Sequence, residues 1–167
     1  MKIRLLRLLA AVLLGLSVTL TTHAALTAAQ ADAFVRDFYA VYNAPGVPRM
    51  MEFYTPEATL TDPTFDLDLK NRDQISNLLT KGLAKYESLE LKVAHTLIAG
   101  DDLIVEGTMV GKLMGKTVQV RFASIFHFTN GKISAQRDMF DVLHFYAQLG
   151  IVPPQFRPKP AEPRTSS

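Results

Sequence analysis

An aspartate where a strand should carry its next apolar residue is the first candidate for chemistry in this chain. Along Tyr54-Thr55-Pro56-Glu57-Ala58-Thr59-Leu60-Thr61-Asp62-Pro63, Ala58, Leu60 and Asp62 fall on one side at a period of two, with Thr59 and Thr61 on the other. A carboxylate on the core face is costly to ionise unless something there uses it. Pro63 has no N–H for a ladder and drives Asp62 toward an extended backbone, so the carboxylate stands at a strand end, facing inward. Two readings stay open: a cap on the following turn, or a general acid–base group in a pocket.

The histidines add little. His95 shares a strand side with Leu91, Val93 and Leu97, where it is either a hydrogen-bonded core residue or a pocket residue. His127 points away from the face of Ser124, Phe126 and Phe128, and His144 lies in the last helical segment. No two histidines stand at i, i+4 and no histidine–carboxylate cluster has ligand spacing, so neither a metal nor another cofactor is expected. Asp66 and Asp68 lack the glycine and closing glutamate of a calcium loop and read as solvated. No nucleophile-elbow sequence supports a Ser-His-Asp assembly. The absence of cysteine excludes disulfides, thiolate metal sites and attachment through a lipidated cysteine.

The elements that must hold these groups read in order. Thr27-Ala28-Ala29-Gln30 has the form of a capping box, and Phe34, Phe38, Val41 and Tyr42 then recur at helical spacing, predicting a helix from near Thr27 to Asn43. Tyr39 or Tyr42 either turns a hydroxyl into a cavity or serves as plain core. Ala44-Pro45-Gly46 breaks this helix, and Val47, Met50, Met51 and Tyr54 suggest a short second one before the Asp62 strand. Phe65, Leu67 and Leu69 alternate with polar residues as a short edge strand, and Asn71 can cap a third helix through Ile75, Leu78, Leu79 and Leu83. From Ser88 the period becomes two, with strands over Leu89 to Leu97, Leu103 to Leu113, Thr117 to Phe128 and Ile133 to about Asp141. Asn130-Gly131 is the strongest hairpin signal, and Gly107 and Gly111 either permit a sharp bend or leave room for a ligand. Leu143, Tyr146 and Leu149 form a last short helix ended by Gly150. The chain is read as one α+β domain over residues 25–152, a curved sheet around the amino-terminal helices.

Its two ends read differently. Lys2, Arg4 and Arg7, the apolar run from Leu8 to Val18 and Thr22-His23-Ala24 make residues 1–24 a cleavable export signal, placing the mature protein in the periplasm or outside the cell with no membrane insertion after cleavage. Residues 153–167, with Pro153, Pro154, Pro158, Pro160 and Pro163 among polar residues, read as a disordered tail. Three of the 18 Lys and Arg lie in the signal, leaving 15 against 16 Asp and Glu. The remaining bases are scattered, so nucleic acid is not an expected partner.

This order of elements resembles the nuclear transport factor 2-like cone, most closely its ketosteroid isomerase and SnoaL-like cyclase branches. Phe34 to Asn43, Phe53 to Pro63, Asn71 to Ile75, Phe122 to Ile133 and Arg137-Asp138-Met139-Phe140-Asp141 carry the likeness. The resemblance implies a mixed or antiparallel sheet curved around a pocket, with Asp62 where the isomerases keep their base. Their oxyanion-hole tyrosine falls at Phe38 and their aspartic acid at Ser124, so that pair is absent. The family's register also turns Asp138 toward the cavity, as in limonene-epoxide-hydrolase-like members, although Val105-Glu106-Gly107-Thr108 lacks the Arg-x-Asp of those enzymes. Asp138 is thus either a second acid–base group or the partner of Arg121 or Arg137 in an ion pair. The lining implied is Phe34, Phe38, Tyr42, His95, Met109, Phe122, Ser124, Phe126 and Phe140. The expected partner is a small hydrophobic molecule, either turned over as in isomerases, cyclases and hydratases or merely bound. A homodimer through the outer sheet face is also implied.

Overall fold

The computed structural model describes residues 25–44 and 46–151, so the expected signal and the proline-rich tail lie outside the described residues. Helix α1 (Ala28–Asn43) begins at Thr27, whose hydroxyl accepts from the Gln30 N–H while the Gln30 side chain accepts from the Thr27 N–H. This reciprocal pair satisfies two orphan amides and fixes where the helix starts. After α2 (Val47–Met51) come β1 (Tyr54–Asp62) and the three-residue β2 (Leu67–Leu69). Helix α3 (Arg72–Leu83) is capped by Asn71, whose side chain accepts from the Gln74 N–H. Four strands follow: β3 (Tyr86–Ala99), β4 (Asp102–Leu113), β5 (Lys116–Thr129) and β6 (Lys132–Phe140). The α4 helix (Val142–Leu149) is capped by Asp141 and ends at Gly150, which adopts the left-handed conformation at φ 73°.

The strands form one unclosed sheet in the order β2-β1-β6-β5-β4-β3, antiparallel except where β1 runs parallel to β6. The parallel pair sets Leu60 beside Gln136 and Thr61 beside Arg137. Register shifts in β1, β3 and at the β5–β6 pairing bend the sheet around α1. The fold is the mixed α+β cone of the nuclear transport factor 2-like proteins.

Two apolar clusters result. The larger packs α1 and α2 against β1, β4, β5 and β6, with Phe38, Met50, Tyr54, Ile75, Val105 and Phe126 fully enclosed. The smaller joins Val118 and Val120 of β5 to Phe145 and Leu149 of α4. On α4 the buried face therefore differs from the expected one: Phe145 and Leu149 pack inward at i, i+4, while Leu143 remains exposed. Neither glycine of β4 leaves a space. A Cβ on Gly107 would stand 2.3 Å from the Lys92 carbonyl oxygen and 2.7 Å from the Phe122 ring, and one on Gly111 would meet the Tyr86 ring at 2.8 Å.

Candidate functional site

Between the two apolar clusters the cone holds a partly open cavity of about 230 Å³. The structure brings Asp62, Phe38, Tyr42, Met109, Phe122, Ser124, Phe126, Asp138 and Phe140 together around it. Two expected lining residues are elsewhere. Phe34 plugs the core behind the cavity, its ring centroid 4.9 Å from Phe128, 5.1 Å from Phe126 and 5.9 Å from Phe53. His95 is exposed, because the register shift between Val93 and His95 turns the rest of β3 over: Ile98 points in and Leu97 is 62% exposed.

Asp62 stands at the end of β1, 5% exposed, with Oδ1 accepting from the Thr64 N–H at 2.8 Å. It is thus both a turn cap and a cavity residue. The parallel register that sets Leu60 beside Gln136 and Thr61 beside Arg137 brings Asp62 and Asp138 to adjacent places on neighbouring strands. Both carboxyl groups open onto the same cavity.

Asp138 is held by side-chain donors and not by an arginine. Ser124, its cross-strand partner, donates from Oγ to Oδ1 at 2.6 Å, and Gln136 donates from Nε2 to Oδ1 at 2.9 Å and Oδ2 at 2.8 Å. The ion pair with Arg121 or Arg137 is absent among the described residues, and both arginines are exposed on the opposite side of their strands. The Gln136 amide is oriented by the Asp138 carboxylate, which can only accept from its Nε2, and its Oε1 then accepts from the buried Tyr54 hydroxyl. Tyr54, Gln136 and Asp138 thus form a directed chain that ends on the carboxylate.

Burial pushes the Asp138 carboxyl up to about 6; the Ser124 and Gln136 hydrogen bonds work against the rise, and the nearby Asp62 charge adds to it. Tyr39 and Tyr42 also border the cavity. Burial foremost, and then the Asp138 charge, raise both phenols, so each keeps its proton and remains a donor. A buried and a half-buried carboxyl, neutral phenols and aromatic walls suit proton transfer to and from a mostly apolar guest. Among the described residues no group of His, Cys, Asp and Glu has the arrangement of a metal site.

Sequence reasoning left Tyr54 and Gln136 out of the site, and gave Tyr39 no role beyond a choice between core and cavity. Gln136 was nonetheless visible as the residue two before Asp138, on the same side of the last strand. Tyr54 gave no such signal, since a tyrosine opening a strand reads as core.

The family model for the SnoaL-like domain matches residues 35–136. No curated protein matches the chain. Among solved structures, a Catenulispora acidiphila protein of ketosteroid isomerase-like fold, in complex with trimethylamine, is similar at TM-score 0.66 and 20% identity, over 75% of this chain and 97% of that one. An epoxide hydrolase of M. tuberculosis, like limonene epoxide hydrolase, superposes at TM-score 0.63 and 18% identity, over 72% and 90%. A putative polyketide cyclase of Xanthomonas campestris does so at 0.65 and 16%, over 72% and 97%. These likenesses establish the fold.

Proposed function

The chain belongs to the SnoaL-like domain family, and from that premise we propose that it binds a small hydrophobic molecule in the cone and moves a proton on it through Asp138 working with Asp62. The observation that carries this reading is the carboxyl pair on neighbouring strands, both members opening on one aromatic-lined cavity. An acid with a pKa of about 6 holds its proton part of the time near neutrality, so Asp138 can both accept and return one. Asp62, kept in place by the Thr64 N–H, is the second acceptor on the same wall. The phenols of Tyr39 and Tyr42 supply donors for an oxygen that gains charge as the proton leaves carbon, a role that Phe38 cannot take. Isomerisation, cyclisation and hydration all need such a transfer. Neighbours of the same fold that are named for an epoxide hydrolase and a putative polyketide cyclase, and one that holds trimethylamine, support a small-molecule ligand.

The test needs no prior substrate. The protein is incubated in D2O with a panel of small apolar ketones and enones, and deuterium uptake is read by mass spectrometry. Uptake by the wild type that falls by about two orders of magnitude or more in Asp138→Asn, with a smaller loss in Asp62→Asn, supports the reading. Undiminished uptake in both variants refutes it. Binding without uptake favours a noncatalytic module that carries a hydrophobic molecule, the reading that the absent Tyr and Asp of the isomerase oxyanion hole supports.

The basic and then apolar start supports export. An amino terminus at Ala25 on protein recovered from the periplasm or medium would bear this out, and full-length protein confined to the cytoplasm would refute it.

A further inference from the structure

The charge of the cavity wall is one-sided. Of the 23 described residues around it only Asp62 and Asp138 are charged, and both are acids; among the described residues no lysine, arginine or histidine reaches it. Buried charges are ordinarily paired or they neutralise themselves, and here the described residues supply no countercharge. The carboxyl groups also keep unused capacity. Asp62 receives one backbone N–H on Oδ1, and among the described residues no donor reaches its Oδ2. Asp138 receives only neutral donors, from Ser124 and Gln136.

The rest of the wall is aromatic. Eight of the lining residues are Phe or Tyr, among them Phe38 and Tyr42 from α1, Phe65 beyond Asp62, Tyr86 from β3 and Phe122 from β5. Ring faces attract a cation whose outer surface is alkyl, and a carboxylate supplies the charge partner. An anion would meet two acids and no cationic donor. A neutral guest would leave the repulsion between the acids in place.

We propose that the ligand of this cavity is a small amine bound as its ammonium ion, with the nitrogen between Asp62 and Asp138 and its carbon substituents against the rings. The proposal rests on the reading of the cavity as a ligand site and adds the charge of the ligand. A volume of about 230 Å³ lies below the roughly 300–1,000 Å³ of drug-sized pockets, so the amine is small. The ammonium relieves the mutual repulsion of the two acids, which a hydrocarbon of the same shape does not.

The full chain is titrated, by calorimetry at pH 7.5, with three probes of ten non-hydrogen atoms: N,N-dimethylbenzylamine as cation, 2-phenylacetamide as neutral compound and phenylacetate as anion. The amine is expected to bind at least about tenfold tighter than the amide, and phenylacetate more weakly than either. Repeating the series at pH 5 should shrink the advantage of the amine, as Asp138 takes up its proton. The other titratable groups facing it are Asp62 on β1 and the phenols of Tyr39, Tyr42 and Tyr54, which stay neutral throughout this range. Asp62→Asn and Asp138→Asn should each lower amine affinity by more than they lower that of the amide, so that the ratio between the two falls. Equal affinity for amine and amide, or tighter binding of phenylacetate, overturns the ammonium assignment and leaves the pocket reading standing. Failure of all three probes to bind overturns both.

Discussion

Replacing Asp138 by asparagine should make the protein more stable at neutral pH, and less stable in acid. The folded state binds the Asp138 proton more tightly than the unfolded chain does, since the carboxyl is raised from 3.8 to about 6. Between those values the folded form holds more protons, so stability falls as pH rises, and it is level above and below them. The full difference corresponds to about 3 kcal/mol, most of it lying between pH 4 and pH 7. Asparagine removes this dependence. Its amide nitrogen, however, faces the Gln136 Nε2, so a donor conflict of about 1 kcal/mol enters at every pH. At pH 7.5 the variant should therefore gain about 2 kcal/mol over the wild type, and at pH 4 the order should invert. Urea unfolding of both proteins at half-unit intervals measures this, because the carboxylates remote from Asp138 titrate alike in each and cancel in the difference. Parallel curves from pH 4 to 7.5 would refute the assignment of a desolvated charge without a cationic partner at Asp138.

Tyr54→Phe should cost about 1–2 kcal/mol by leaving the buried Gln136 Oε1 without a donor. It should also raise the Asp138 pKa in a carboxyl NMR titration, since a freed amide no longer keeps its N–H groups on the carboxylate. An unchanged titration would break the directed chain. Phe34→Ala should lose about 3–5 kcal/mol in chemical denaturation, as expected for a core plug and not a cavity wall. The glycines should part company: Gly107→Ala forces a Cβ onto the Lys92 carbonyl and should cost about 1–3 kcal/mol. In contrast, Gly82→Ala in α3, where a Cβ meets nothing within 4 Å, should add about 0.5–1 kcal/mol. Thermal unfolding of the pair checks both signs.

What could be read from the chain follows how local the cause is. The Thr27–Gln30 box, the Asn71 cap and the Asn130-Gly131 hairpin each depend on residues within a few places of one another, and all three form. Asp62 was legible because period two and Pro63 between them determine its side and its backbone. His95 was misplaced by the same reasoning, since one extra residue in β3 reverses every later side chain and such a bulge has no reliable local signature. The α4 face was misjudged for a related reason: Leu143 and Phe145 are both apolar, and only the position of β5 decides which is covered. The Tyr54–Gln136–Asp138 chain joins residues more than 80 positions apart. No spacing rule reports that; the parallel pairing of β1 with β6 does.

That pairing has a further bearing on how the protein comes to life. The first of the two acids, Asp62, is made little more than a third of the way along the chain and the second, Asp138, in its last fifth, and they meet only when β6 slots in between β1 and β5. Closing so wide a loop is slow, and no shorter stretch can assemble the pair in its stead. A nascent or partly threaded molecule therefore lacks the acid pair, which is completed in one step with the final strand.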